Sequence, residues 1–333
     1  MKTYNLLLVA LFVIYSSCIS QNNKINGVSF VAARDSITKQ HISPVINFNS
    51  NFVALMPYGF VRELSSPTII HNTERQWFGE TENGLLQYAK EFKKAKIGIM
   101  VKPHIWIWKG EFTGNMKMSS EENWQKLEKS YTSFILTYAK AAEKIGAAVF
   151  CIGTELEQFV LNRPQFWKKL IANIKEVYKG KLTYAANWDE FKRVTFWEEL
   201  DYIGIDAYFP LSDKEKPTVI DLENGWQKHK TEIIRVQQKY QKKIIFTEFG
   251  YRSVNYTAKE PWNSGRIEGN VNLQAQSNGL QAIYNQFWDE EWFAGGFVWK
   301  WFHKHEKVGG DSNNRFTPQN KPAQKLLKEL YKN

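Results

Sequence analysis

The chain of 333 residues carries 44 basic and 34 acidic side chains, for a formal charge of +10. Its lysines alternate with apolar residues at helical spacing in segments such as KEFKKAK, which is typical of solvated helix faces, so nucleic acid is not expected as a partner. A closed α/β barrel uses about 250 residues as one domain, so this length requires no second domain. The 13 Trp, 15 Tyr and 22 Phe suit either an aromatic-rich core or the stacking surfaces of a sugar-binding cleft.

The N-terminus has the pattern of an export signal. Lys2 precedes an apolar stretch over residues 6–15, and two serines and Cys18 follow it. This stretch is too short to span a membrane. The pattern resembles a relaxed bacterial lipoprotein signal with Cys18 as the lipidated residue, and secretion after cleavage nearby is the alternative. We therefore predict a signal over residues 1–20 and one domain over 21–333. The protein is expected to be exported, as an outer-membrane or periplasmic lipoprotein or a secreted protein, and to be a monomer whose only membrane attachment is a lipid at Cys18.

The remainder of the chain alternates between β-rich runs and helical patterns. Eight runs read as strands, over residues 25–33, 52–60, 96–106, 147–155, 182–188, 201–209, 243–251 and 294–301. Helices are predicted over residues 83–95, 119–145, 164–179, 223–241, 271–290 and 321–332. Nearly continuous apolar strands that alternate with helices indicate a parallel sheet covered on its outer face, and eight such units close into a single (β/α)8 TIM barrel of the α/β class. A doubly wound open sheet is the rival, but no strand is followed by a glycine-rich phosphate fingerprint.

Active sites of such barrels lie at the C-terminal ends of the strands, so polar and aromatic residues at those ends are the candidates. They comprise Lys102, His104, Trp106 and Trp108 on the third run, Glu155 and Glu157 on the fourth, Asn187, Trp188 and Asp189 on the fifth, Asp206 and Tyr208 on the sixth, Glu248, Tyr251 and Arg252 on the seventh, and Trp299 and Trp301 on the eighth. The fourth and seventh strands of an eight-stranded barrel lie nearly opposite each other. This places Glu155 and Glu248 across an aromatic-lined mouth.

Two carboxyl groups that flank one bond are what glycoside hydrolysis requires, one as the acid and one as nucleophile or base. Glu157 is an alternative acid, although it could equally cap or pair with a helix. Trp299 and Trp301 are two residues apart on one strand, so both are expected to face the sugar. Trp106 and Trp188 could either stack on sugar or pack under a loop.

Metal sites are not expected. His303, His305 and Glu306 are ligand types, but they lie in a loop with no third partner at zinc-like spacing. DSNNRF at 311–316 lacks the glycine and closing glutamate of a calcium loop. Cys151 lies inside an apolar run, so a nucleophilic cysteine is not expected. The only other cysteine is Cys18, so no intrachain disulfide is expected in the mature protein if Cys18 is lipidated. No cofactor is predicted.

CIGTELEQF at 151–159, followed by FTEFGYRS at 246–253, resembles the glycoside hydrolases of clan A, and most of all family 113, the β-1,4-mannanases. The resemblance extends to GVSFVA, IDAYFPL and FVWKWF. It implies that Glu155 is the general acid/base and Glu248 the nucleophile, with the Tyr208 hydroxyl near the nucleophile. Thr154 stands where most of the clan has Asn, as in the GTE form of family 113. The residues expected to bind substrate are Tyr208, Trp299, Trp301, Trp106, His104, Asn187, Trp188 and Tyr251.

The resemblance implies a retaining hydrolase that cleaves β-1,4-mannan or manno-oligosaccharides. One rival keeps the chemistry and changes the sugar to another β-glycan such as glucan. A second rival is a non-catalytic glycan-binding barrel, which would have no need of both carboxylates. The loops over 107–118, 252–270 and 302–320 are expected to wall the substrate subsites.

Overall fold

A computed structural model describes residues 24–263 and 270–332 of the chain. The predicted signal and Cys18 lie outside the described residues. Eight parallel strands form a closed barrel, which confirms the predicted (β/α)8 fold. In barrel order they are β1 (Ile25–Phe30), β2 (Phe52–Leu55), β4 (Gly98–Val101), β6 (Val149–Thr154), β7 (Lys181–Asn187), β8 (Tyr202–Asp206), β9 (Lys243–Phe249) and β10 (Phe293–Trp301).

Helices cover the outside of this barrel. They are α1 (Lys39–Asn47), α2 (Glu82–Lys94), α3 (Glu121–Ile145), α4 (Glu157–Asn162), α5 (Pro164–Val177), α6 (Val219–Tyr240), α7 (Leu273–Phe287) and α8 (Pro322–Leu330). The six predicted helices are all present. The sequence prediction missed α1, which contains Pro44, and the short α4. The helices in the described residues include none long and apolar enough to cross a membrane.

Local signals set the ends of the longest helix, α3. The Ser120 hydroxyl accepts a hydrogen bond from the Asn123 N–H and caps the first turn. Gly146 ends the helix in the left-handed region, at φ 60°, where a residue without a Cβ fits best. The chain then turns back into β6, so these caps determine where the strand that leads to Glu155 begins.

Two of the predicted strands are broken in the structure. The runs 52–60 and 96–106 each leave the barrel and continue as β3 (Tyr58–Val61) and β5 (His104–Ile107), which pair with each other in a separate two-stranded sheet. Pro57 and Pro103 stand at the two breaks, and a proline has no N–H to continue the ladder. The short sheet therefore rises from the mouth of the barrel.

The barrel interior is divided into an apolar part and a charged part. Strand residues alone form a small apolar cluster, which places it inside the barrel: Ile25, Ala54, Met100, Val149, Ile245 and Phe297. Buried Lys102, Asp206 and Glu248 lie at the other end, where the strands finish. The main core packs between the strands and the helices. The charged end is consequently the candidate site.

Candidate active site

Glu248 lies near the end of β9, and donors hold both of its carboxylate oxygens. Lys102 Nζ donates to Oε1 at 2.5 Å, and the Tyr208 hydroxyl donates to Oε2 at 2.8 Å, the contact expected from the resemblance. Tyr208 follows β8 and packs its ring against Phe316, with ring centroids 5.9 Å apart. The orientation of the Glu248 carboxylate is therefore fixed from two sides.

Lys102 is fully buried and shared between two carboxylates. Its Nζ also donates to both oxygens of Asp206, at 2.9 and 3.1 Å, and Thr247 Oγ1 donates to Asp206 Oδ1 at 2.7 Å. Burial by itself lowers the pKa of Lys102, but the charges of Asp206 and Glu248 outweigh it, so the pKa is raised overall. The lysine therefore remains charged, and it balances two buried acids. The sequence places Lys102 and Asp206 at strand ends, but no local pattern predicts this contact.

Glu155 occupies an unusual backbone conformation directly after β6. Its φ is 49°, in the left-handed region that residues with a Cβ seldom adopt. The Glu155 N–H donates to Ala185 O at 2.8 Å, and Thr113 Oγ1 donates to Glu155 O at 3.2 Å. These bonds to the neighbouring strand and to the 107–118 loop hold the residue in this conformation.

The environments of the two glutamates separate their pKa values. Burial raises the pKa of Glu155 well above its usual range, and the negative charges of Asp206 and Glu248 add to this. Burial and Asp206 raise the pKa of Glu248 to about 7, while Lys102 and the Tyr208 hydrogen bond oppose the rise. Near neutral pH, Glu155 is therefore the protonated member and Glu248 the one that ionises. Such a split is how paired carboxyls take the roles of acid and base.

His104 and Trp299 lie beside the Glu248 carboxylate. His104 Nε2 is 3.6 Å from Glu248 Oε1, and the His104 ring stacks on Trp299 at 6.2 Å with an interplanar angle of 17°. Burial, with help from the Lys102 charge, lowers the pKa of His104 well below its usual value, so the ring is neutral. Its buried Nε2 has no hydrogen-bond partner among the described residues, which is unusual for a buried polar atom.

The end of β7 adds an amide and an aromatic pair. Asn187 Nδ2 donates to Asp189 Oδ1 at 3.1 Å. Trp188 is partly buried and stacks on the half-exposed Trp262, with ring centroids 5.1 Å apart. Asn187 and Trp188 thus lie at the mouth, as predicted from the strand ends.

Two of the predicted substrate contacts are wrong. Trp301 is fully buried and packs on Phe48, with ring centroids 4.8 Å apart. Val28 pairs with Val298 and Phe30 pairs with Trp301, so β10 advances by three residues where β1 advances by two. This extra residue turns Trp301 away from the face of Trp299.

Tyr251 is the second wrong prediction. It lies beyond the end of β9 and is 1% exposed. Its ring packs on α7 at Gly279, where an added Cβ would lie 2.4 Å from the ring. The side chain therefore points outward between the barrel and α7 rather than into the mouth.

Trp106 lies on the exposed face of the short β3–β5 sheet. The Trp106 side chain is 49% exposed and that of Trp108 is 77% exposed. Ile105 and Ile107 alternate with them and are buried in the core. One face of β5 therefore packs on the core, and the other face is exposed to solvent. His104 lies on the same face of β5 as Trp106, next to Glu248, and Trp108 follows directly after the strand.

Glu157, the alternative acid, belongs to a different contact. It is in the first turn of α4, and its carboxylate forms an ion pair with Arg193. His305 stacks on Trp301, and His303 lies against His41. Across residues 24–263 and 270–332, no group of three or more metal-binding side chains is present.

Each of the three loops expected to wall the subsites touches a site residue. Thr113 of the first loop bonds to Glu155, Trp262 of the second stacks on Trp188, and Phe316 of the third packs on Tyr208. All three loops therefore lie next to residues of the candidate site.

The model of Glycoside Hydrolase Family 113 matches residues 31–321. Solved structures similar to this chain include the family 113 β-mannanase AaManA from Alicyclobacillus acidocaldarius in complex with ManMIm. The TM-score is 0.81 at 22% identity, and the alignment covers 93% of this chain and 97% of that one. A complex of a family 113 β-1,4-mannanase has TM-score 0.81 and 21% identity, with coverage of 93% and 99%. A fungal β-1,4-galactanase has TM-score 0.59 and 13% identity, with coverage of 91% and 98%. No curated protein matches the sequence.

Proposed function

The chain belongs to glycoside hydrolase family 113, and we propose that this hydrolase cleaves β-1,4-mannosidic bonds with retention of configuration, using Glu155 as general acid/base and Glu248 as nucleophile. The observation that carries the proposal is that the surroundings of the two glutamates favour opposite protonation states. Burial and neighbouring negative charge keep Glu155 protonated, while Lys102 and Tyr208 favour the ionised form of Glu248. The names of the similar solved mannanases favour mannan as the sugar.

In the first step, a Glu248 carboxylate oxygen attacks the anomeric carbon and forms a glycosyl ester. The bond from that carbon to the glycosidic oxygen breaks, and the Glu155 carboxyl gives its proton to the departing oxygen. The Lys102 and Tyr208 donors aim the carboxylate and stabilise its charge before the attack. These contacts thus prepare the nucleophile without any rearrangement.

In the second step, the ionised Glu155 takes a proton from water as the water oxygen attacks the same carbon. The ester bond breaks, Glu248 leaves as a carboxylate, and the sugar is released with its original configuration. Departure is favoured because Lys102 and Tyr208 stabilise the negative charge that returns to Glu248. Both inversions take place at one carbon, so the net result is retention.

Substrate contacts are proposed for six residues around the pair. Trp299 offers a ring beside the nucleophile, His104 offers its unpartnered Nε2, and Tyr208 lies near the reacting carbon. Asn187 and Trp188 lie at the end of β7, and Trp106 lies on the open face of β5. The alternative sugar, a β-glucan, differs at the 2-hydroxyl, which these neighbours rather than the two glutamates would read.

We expect linear β-1,4-mannan to be hydrolysed and β-1,4-glucan to be left intact by the same preparation. Reducing ends are counted for both polymers in parallel, and the anomer first released from a manno-oligosaccharide is followed by proton NMR. A β-product that later mutarotates supports retention. Hydrolysis of glucan alone would change the sugar assignment, an initial α-product would rule out the double displacement, and inactivity on both polymers would favour a binding barrel.

A second prediction concerns chain length. His104 and Trp106 are two residues apart on β5, so their side chains share a face at a spacing of about 7 Å. We expect Trp106→Ala to raise KM for mannohexaose about 10-fold, because one ring contact of about 1.4 kcal/mol is lost, with kcat nearly unchanged. Mannobiose, whose two sugars occupy only the positions on either side of the cleaved bond, is too short to reach the ring, and its KM is expected to be unchanged. Tyr240→Ala, at the opposite end of the barrel, is the control. An equal rise in KM for both oligosaccharides would contradict a distal subsite.

A further inference from the structure

A buried carboxyl outside the catalytic pair lies next to the acid/base residue. Glu190 is 1% exposed and lies on the loop that follows β7. Tyr184, on β7 itself, donates its hydroxyl hydrogen to Glu190 Oε1 at 2.6 Å, and the Asn187 N–H donates to Oε2 at 3.0 Å. Both carboxylate oxygens therefore act as acceptors.

The Tyr184 hydroxyl links Glu190 to the backbone next to Glu155. The Leu156 N–H donates to Tyr184 Oη at 2.7 Å. Because the hydroxyl accepts from Leu156, its single hydrogen must go to Glu190. The order of donors is thus fixed, from Leu156 through Tyr184 to Glu190.

The Leu156 N–H belongs to the same peptide unit as the Glu155 C=O. Thr113 Oγ1 donates to that C=O at 3.2 Å, so side chains hold both ends of the unit. The preceding peptide is held by the bond from the Glu155 N–H to Ala185 O. With both flanking peptides fixed, the direction of the Glu155 side chain is fixed as well, although its φ of 49° is unfavourable for glutamate.

We propose that Glu190 is a positioning residue for acid/base catalysis, which acts through Tyr184 and the Leu156 N–H to hold Glu155 in its left-handed conformation. Glu190 touches neither the substrate nor the reacting atoms in this scheme. The inference depends on the proposed role of Glu155, and it adds a residue that this role alone does not require.

Glutamine at position 190 provides a sharp test, because it has the same shape but only one acceptor oxygen. In Glu190→Gln, the amide NH2 faces either the Tyr184 hydroxyl or the Asn187 N–H, so one donor loses its acceptor. Tyr184→Phe removes the relay itself. Thr113→Val weakens the other side of the same peptide from a partly exposed loop, where the substitution does not disturb the core.

The readout is a comparison of two substrates. Mannotetraose has a poor leaving group and needs the Glu155 proton, whereas a dinitrophenyl β-mannoside leaves without protonation. We expect Glu190→Gln and Tyr184→Phe to lower kcat/KM for mannotetraose about 10- to 100-fold, because a misplaced acid loses rate steeply. The dinitrophenyl substrate, whose kcat/KM reports the first step, is expected to change less than about 3-fold. Thr113→Val is expected to show the same selectivity with a smaller loss.

Tyr178→Phe is the matched control. Tyr178 is also buried, and its hydroxyl donates at 2.8 Å to Ala147 O, just before the other end of β6. It should leave both substrates unaffected. Equal losses on both substrates in the Glu190 and Tyr184 variants, or no loss on mannotetraose, would overturn the positioning role. An unmodified protein that hydrolyses neither substrate would refute the proposed function instead.

Discussion

Glu248→Gln is expected to abolish hydrolysis of β-1,4-mannan, lowering kcat on the order of 10⁴- to 10⁶-fold, which is the scale seen when a covalent nucleophile is removed. Glutamine has no oxygen able to form a stable ester with the anomeric carbon. Its oxygen can still accept from Lys102, and its NH2 can donate to the Tyr208 hydroxyl, so the fold is expected to survive. Initial rates of reducing-end release at saturating mannan provide the measurement.

Glu157→Gln is the matched control for this variant. It removes a carboxylate two residues from Glu155, but that carboxylate is paired with Arg193 outside the Lys102 cluster. The hydrolysis rate of Glu157→Gln is expected to stay within about 3-fold of that of the unmodified protein, since surface ion pairs contribute little to stability. If Glu157→Gln were as inactive as Glu248→Gln, or if Glu248→Gln kept normal rates, the assignment of the nucleophile would be incorrect.

The barrel and the positions of Glu155 and Glu248 at strand ends could be predicted because both depend on local patterns. Eight apolar runs alternate with helices, and the position of each polar residue at a strand end follows from where the run stops. The break at Pro57 and Pro103 was also visible in the sequence, yet the apolar character continues beyond it into β3 and β5. The apolar composition therefore predicts one strand where the structure has two, because the prolines lack the N–H groups that would continue the hydrogen-bond ladder.

The errors arose where a single residue changes the direction of side chains. Regular alternation predicts that Trp299 and Trp301 share a face, but the register shift between β1 and β10 reverses it. The role of Lys102 was equally hidden, because a lysine at a strand end is usually solvated. Only the closure of the barrel brings Lys102, Asp206 and Glu248, which are far apart in sequence, into contact.

Lys102→Met is expected to have the largest effect on stability. Methionine fills much of the lysine volume but leaves Asp206 and Glu248 buried together without a cation. Loss of one member of a buried ion pair costs about 3–5 kcal/mol in the free energy of unfolding, which denaturant unfolding would measure. Lys126→Met removes an exposed lysine that pairs with Glu122 at 2.7 Å, and it is expected to change this free energy by less than about 1 kcal/mol.

The same substitution also makes a prediction about pH. Burial and Asp206 raise the pKa of Glu248 and Lys102 lowers it, with a net pKa of about 7. Without the cation, the protonated form of Glu248 is favoured and its pKa rises further. The fraction of ionised nucleophile at a given pH then falls, so the acid limb of the profile of kcat/KM is expected to move to higher pH. Adding Asp206→Asn to Lys102→Met removes one of the two buried negative charges. The double variant is therefore expected to recover part of the lost stability, and its acid limb is expected to move back to lower pH. A limb that stays in place in Lys102→Met, or moves to lower pH, would show that the ammonium group does not control the ionisation of the nucleophile.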